Sequence, residues 1–369
     1  MVVSGLDWER KARSQGHVGM SNTGMMQRCW EHDYCEPCFY LITVVTEPRR
    51  DCLGTVNAAP GGAAVALSPM GEVVRDVWRR TSAVYPGVEA CECVVMPDHF
   101  HGILWVKEQL ARHMGHIVKA FKRVSTLECR SGGLLLQPEP VPAAAPVPAA
   151  APAARYSTLW QEGFQDSILL HKGQLKAMVN YIADNPRRLA AKLAHPELFT
   201  VVTQQAVGPE RSCPVIGNRH LLQHPLKRQV QISRSLSAPA LAEKKEELLY
   251  AAEHGAVLVS PCISPGEKEI AHAALERGKP LIVLLANGFP PVYKPVGRYF
   301  QACAEGRLLM VAPFSYHRQR RPITREECLT LNTWAEAIAK VDPTPVTAAP
   351  CLVPAAAPAA AFHLISKKT

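Results

Sequence analysis

The 369-residue chain is 47% hydrophobic and carries a formal charge of +9, which gives it apolar material for more than one core and suits it to a polyanionic partner. No apolar run approaches the roughly eighteen residues of a membrane span, and the opening MVVSGLDWERKARSQG lacks a signal-peptide core. The twelve cysteines follow no small-domain disulfide framework, so they are expected to be reduced thiols in a cytoplasmic protein.

Residues 1–37 are polar and read as an N-terminal arm. Within them Cys29, His32 and Cys35, with Cys38 just beyond, are spaced like metal ligands, but no second ligand pair follows at zinc-finger distance. Cys38–Thr46, rich in aromatic and β-branched residues, predicts a strand. A Gly/Pro/Ala loop then leads to a helix over Gly71–Tyr85, with Val73, Val74, Val77 and Trp78 on its apolar face. Glu92–Val106 predicts paired strands around Met96-Pro97-Asp98-His99-Phe100-His101. The period of two puts His99 and His101 on one face, either as two ligands for a divalent ion or as two polar side chains on a solvated face. Leu110–Cys129 predicts an amphipathic helix with Lys119, Lys122 and Arg123 on it. This β-α-β-β-α order fits a ferredoxin-like α+β domain, an antiparallel sheet covered by helices.

Residues 137–154 form a Pro/Ala tract, an extended insertion rather than a core element. After Leu159-Trp160-Gln161-Glu162-Gly163-Phe164 and a short strand comes a helix from Gln174 to about Asp184, with Leu175, Met178, Val179 and Ile182 as its buried stripe. Pro186 is expected to break it at Asn185 and open a new helix. Tyr181 could attack a phosphodiester held by a metal on His99, His101 and the Asn185 amide, with Arg187 and Arg188 on flanking phosphates. Equally, Tyr181 could be a margin residue, Asn185 a helix cap and the arginines solvated.

Three ordered motifs, MPDHFHGIL, LWQEGFQDSIL and YIADNPRRL, resemble those of the REP-associated tyrosine transposases, members of the HUH single-tyrosine, single-strand DNA transposase superfamily. The resemblance spans about residues 38–196. It implies Mg²⁺ or Mn²⁺ held by His99, His101 and Asn185, with Tyr181 as nucleophile and a covalent 5′-phosphotyrosine. It also implies single-stranded or hairpin DNA as substrate, tracked by Lys119, Lys122, Arg123, Arg187 and Arg188. A nucleoid-associated protein, a homodimer and no membrane partner complete that expectation. The competing reading is a non-catalytic hairpin-binding or regulatory protein with a degenerate site. Hydrolysis of small molecules by a metal lacks the further ligands such sites use.

From residue 201 to 340 strands alternate with helices, predicting a doubly wound, Rossmann-like parallel sheet. Its strand VQIS (230–233) and its turns would set Ser233, Arg234, Ser260, Gly266, Asn287 and Gly288 on one rim, as a nucleotide or phosphate cradle or as ordinary βα turns. ISRS, AH-x-AL at 271–275, VLLANG and PVYKP resemble the Rossmann-type domain of the DNA-processing protein A family. That family's glycine-rich SG-x-A-x-GID segment is replaced here by SPCISPGEKEI. The Pro/Ala-rich tail, 341–369, is expected to be disordered.

Overall fold

The computed structural model describes residues 32–59, 62–135, 158–208, 210–319 and 321–340; the Pro/Ala tract, the tail, Cys29 and most of the N-terminal arm lie outside these. The described chain forms two compact units. One runs to Thr200 and takes in the short segment His317–Arg321, and the other covers Val201–Tyr316 and Pro322 onward.

The first unit is built on β1 (Cys38–Val45), whose β-branched and aromatic residues suit a sheet buried on both faces. It pairs antiparallel with β5 (His99–Val106) on one side and β6 (Gln165–Leu169) on the other, and β4 (Val88–Val95) completes the order β4-β5-β1-β6. Strand alternation sorts the side chains. Tyr40, Ile42, Val44, Phe100 and Leu104 pack under α1 (Pro69–Val84) and α2 (Gly115–Ser131), through Val74, Val77, Trp78, Ile117, Val118 and Phe121. Leu41, Ile103 and Leu169 face the opposite way and meet Ile182 of α3 (Gln174–Ala194). Leu175, Met178 and Val179 pack there too, as the helical stripe requires. Helices on both faces of an antiparallel sheet are the α+β arrangement expected of this half.

Three local features differ from the sequence expectation, and a fourth adds to it. The supposed loop after β1 contains a hairpin, β2 (Gly54–Ala59) and β3 (Gly62–Leu67); its Ala/Gly content hides the pairing because small residues have low strand propensity. The second helix starts at Gly115, not Leu110, because the backbone N–H groups of Leu110 and Met114 are taken by the carbonyls of Cys35 (2.9 Å) and Tyr34 (3.1 Å). Helix α3 is continuous through Pro186, so the predicted break is wrong. Proline costs an interior helix about 3 kcal/mol, an amount that burial of one or two large apolar side chains offsets. Here Ile182, Asn185 and Pro186 are all buried. Finally, Leu159–Phe164 is locked to the end of β1: Glu47 N–H donates to the Leu159 carbonyl and Gln161 N–H to that of Val45, both at 2.9 Å.

Gly102 sits between the second histidine and the sheet's helix-covered core. A Cβ there would lie 2.6 Å from Trp78 Cζ2 and 2.8 Å from the Phe100 ring. Gly102→Ala is therefore expected to cost about 1–3 kcal/mol by overpacking, read as a lowered denaturation midpoint.

In the second unit, β9 (Lys227–Gln229), β10 (Val257–Ser260), β11 (Leu281–Leu284) and β12 (Leu308–Val311) are parallel neighbours. An antiparallel pair, β7 (Val202–Gly208) and β8 (Arg211–Gly217), extends the sheet past β12. The intervening helices are α4 (Ala238–Glu253), α5 (Pro265–Glu276) and α6 (Arg298–Ala304). The closing α7 (Arg325–Lys340) buries Leu331, Ala335 and Ile338 against Val257, Val259, Ile282 and Val311. The order β7-β8-β12-β11-β10-β9 corrects the doubly wound expectation, because the parallel strands follow chain order without the reversal that makes a topological switch point. Strand β9 also lies three residues before the predicted VQIS. It contains the buried Lys227, whose Nζ donates to the carbonyls of Leu222 (3.0 Å) and His224 (2.7 Å), and polarity patterns do not foresee a buried lysine.

Candidate active site

His99 and His101 stand on the α3-facing side of β5, in register with Val45 and Thr43 of β1. Their rings are 4.7 Å apart at 81°. Across from them, the ring of Tyr181 lies 5.6 Å from that of His101 at 65°. The two strand histidines and the helix tyrosine, some eighty positions apart in the chain, are thus side by side on one face. Tyr181 is 37% exposed, at the margin of the buried cluster under α3.

Each imidazole is held through Nδ1. Asp98 Oδ1 lies 2.5 Å from His99 Nδ1, and Thr43 Oγ1 lies 2.8 Å from His101 Nδ1. An ionised carboxylate only accepts, so the His99 Nδ1 that meets it carries a proton. Asp98 stays ionised: burial alone would raise its pKa, but the hydrogen bond and charge of His99, followed by those of Arg49, hold it well below the usual carboxylate range. Burial, reinforced by His99 and partly opposed by Asp98, pushes the His101 pKa down to about 3, so this ring is neutral at physiological pH. Sequence reasoning missed Asp98, Arg49 and Thr43. The available signals were adjacency to His99 and the strand period that brings Thr43 opposite His101.

Two imidazoles with Nδ1 engaged present Nε2, the end through which a divalent ion is taken. Among the described residues, no three His, Cys, Asp or Glu side chains form a ligand cluster, so such a site requires a different third donor. Asn185 is buried one turn beyond Tyr181, and its Nδ2 donates to the Tyr181 carbonyl at 2.8 Å, leaving Oδ1 outside that bond. In donor type, two imidazoles and a buried amide oxygen suit a divalent ion.

The basic residues divide. Arg187 is clamped by Asp184, Nε to Oδ1 at 2.5 Å and Nη2 to Oδ2 at 3.0 Å. Arg188 is half-buried, its pKa lowered by that burial, within electrostatic reach of Asp184 and Tyr181. Lys119, Lys122 and Arg123 belong to α2, which packs on the sheet face opposite the histidines. Lys122 is a tie rather than an open phosphate contact: its Nζ donates to the carbonyls of Gln161 and Gly163, both at 2.5 Å, and burial lowers its pKa. Lys119 and Arg123 are exposed.

At the rim of the second unit the turns are hydrogen-bonded within themselves, as ordinary βα turns are. Ser233 and Arg234 are exposed, and Ser233 Oγ accepts from the Ser235 amide at 3.2 Å. Ser260 is fully buried and accepts from the Cys262 amide at 3.2 Å. Gly266 is packed tightly, since a Cβ would sit 2.7 Å from Ile232 Cγ2 and 2.9 Å from Leu241 Cδ1. Asn287 Oδ1 accepts from the Gly288 amide at 2.9 Å, and a Cβ on Gly288 would overlap the Tyr316 amide. Several amides at these turns are already occupied. The buried Glu267 accepts from Ile263 (2.7 Å) and Ser264 (3.0 Å) on Oε2 and from Ile232 (3.2 Å) on Oε1. An internal carboxylate thus stands where an anion would, and it repels a second negative charge.

For the N-terminal cysteine–histidine spacing, Cys29 lies outside the described residues, and His32 Nε2 is hydrogen-bonded to Tyr40 Oη at 2.9 Å. Among the described residues no helix is long and apolar enough to cross a membrane.

No protein-family model matches the chain. An uncharacterised protein of Haemophilus influenzae is 21% identical over 179 residues, spanning 43% of this chain and 86% of its own. Among solved structures, a REP-associated tyrosine transposase bound to a REP hairpin is similar over 44% of this chain and 74% of that one, at 16% identity and a TM-score of 0.30. A crystal structure of a transposase candidate from Deinococcus radiodurans is similar over 43% of this chain and 97% of that one, at 18% identity and a TM-score of 0.26. At such scores the function has to rest on the chain's own residues.

Proposed function

We propose that the first unit is a metal-dependent single-strand DNA transposase that cleaves and rejoins hairpin-bearing DNA through Tyr181. The observation that carries this reading is the Tyr181 ring packed beside His101, with His99 next to it on the same sheet face. The ordered motifs around these residues and the chain's positive charge support DNA as the substrate.

In this reading the Tyr181 oxygen attacks phosphorus in line with the 3′-oxygen. The Tyr O–P bond forms and the P–O3′ bond breaks. The phenolic proton is lost to solvent, and the departing 3′-oxygen takes up a proton as a free hydroxyl. A DNA 3′-hydroxyl attacking the phosphotyrosine reverses the exchange and rejoins the strands, so one difficult step becomes two balanced ones. His99, His101 and Asn185 would hold a divalent ion, Mg²⁺ or Mn²⁺, which would supply Lewis-acid polarisation of the phosphodiester. Thr43 and Asp98 keep the imidazoles oriented, and Arg188 lends positive charge beside Tyr181.

The test is incubation with single-stranded hairpin DNA and Mg²⁺ or Mn²⁺, followed by denaturing electrophoresis. A covalent protein–DNA band that disappears when the metal is chelated is the expected result. Hairpin binding with no covalent band at any metal concentration would overturn the transposase reading and leave a DNA-binding module.

A further inference from the structure

Asp98 is fixed from several directions, more firmly than a strand-turn residue requires. Its Oδ1 meets His99 Nδ1 at 2.5 Å, and its Oδ2 receives Arg49 Nε at 2.5 Å. Its main-chain carbonyl accepts from both the N–H and the Oγ1 of Thr46 at 3.0 Å. Thr46 is fully buried and follows directly on β1, while the Asp98 side chain is 18% exposed. A segment at the end of one central strand therefore holds both the backbone and the carboxylate of the residue that precedes the histidine pair on the other.

We infer that Asp98 is a positioning residue for His99, with Arg49 as its anchor: together they keep the imidazole protonated on Nδ1 and its Nε2 free to bind metal. The inference rests on the metal-site reading given above for its purpose, though not for its geometry. A free neutral imidazole prefers its proton on Nε2, the wrong nitrogen for a ligand presented at that end, and a carboxylate on Nδ1 reverses the preference. The two histidines are held differently. At Nδ1 His101 meets the Thr43 hydroxyl, which can donate or accept and so does not impose a tautomer, whereas His99 meets an acceptor that can only take a proton. Asp98 therefore sets the state of the more exposed imidazole, and Arg49 keeps the carboxylate from turning to solvent.

The full-length protein labelled with ¹⁵N-histidine, free of metal and near neutral pH, reports the tautomer directly in long-range proton–nitrogen spectra, with His99→Gln assigning the resonance. Wild type is expected to show His99 protonated on Nδ1. Asp98→Ala should shift it towards Nε2, and Asp98→Asn, which keeps an acceptor oxygen, should largely preserve it. In a Mn²⁺ titration followed by calorimetry, Asp98→Ala should weaken binding about 10- to 100-fold, with Arg49→Met and Asp98→Asn weakening it less. Wild-type His99 protonated on Nε2 would overturn the inference, as would an Asp98→Ala protein that folds and binds Mn²⁺ as tightly as wild type. Wild type with the expected tautomer but no Mn²⁺ binding would instead sink the metal-dependent function and uphold the positioning of His99.

Discussion

Tyr181→Phe is expected to abolish covalent capture of single-stranded DNA while leaving hairpin binding within about twofold of wild type. The substitution removes one oxygen and keeps the ring that lies against His101. The buried cluster under α3 is made by Leu41, Ile103, Leu169 and Ile182, and Tyr181 lies outside it at the helix margin, 37% exposed. The change should therefore cost the fold no more than about 0.5 kcal/mol, as surface substitutions usually do. Its chemical cost should be far larger. Deleting a nucleophile typically lowers turnover by about 10⁴-fold or more, and what is left comes from binding and electrostatics, which cannot form a phosphotyrosine. Denaturing electrophoresis with Mn²⁺ shows the loss, and a mobility-shift titration on the same protein reads the binding. A covalent band persisting in Tyr181→Phe would transfer the nucleophile to another residue.

The periodicities that bring this site together are visible in the sequence. His99 and His101 follow the two-residue period of a strand, and Leu175, Met178, Val179 and Ile182 follow the helical one, so which face each element buries can be read before the partners are known. What cannot be read is how residues far apart hold one another. Thr43 reaches His101 only because β1 and β5 pair in that register, and Arg49 reaches Asp98 only because the chain turns back after β1. Lys122 looks like a phosphate contact on a helical wheel, yet two carbonyls of Gln161 and Gly163 have already claimed it. Pro186 misleads for a related reason, since local backbone preference predicts a break that burial of the helix overrides. In the second unit the alternation of strands and helices is plain, but strand order is a property of crossover directions, and neither composition nor spacing records it.

The buried Glu267 yields the largest stability effect expected here. Glu267→Ala should destabilise the second unit by about 3–5 kcal/mol, since it strands three backbone donors whose desolvation costs about 1–3 kcal/mol each before relaxation. The carboxylate also closes a capping box: Ser264 Oγ accepts from the Glu267 amide at 3.2 Å while Glu267 accepts from that of Ser264. Through Ile232 it ties the segment after β9 to the start of α5, and Gly266 brings that segment close enough to be tied. Glu267→Gln keeps the shape but turns an amide N–H towards backbone N–H groups, so it should lose part of the same stability. Native-state hydrogen exchange resolves the effect by location. Protection should fall across β10 and β11 in Glu267→Ala, while amides of β1 and β5 exchange as in wild type. Unchanged protection in the second unit would mean that water replaces the carboxylate without cost, and the cradle would then be open to an external anion. Loss confined to the second unit, with covalent capture by Tyr181 intact, would mean that the chemistry of the first unit needs only its own fold.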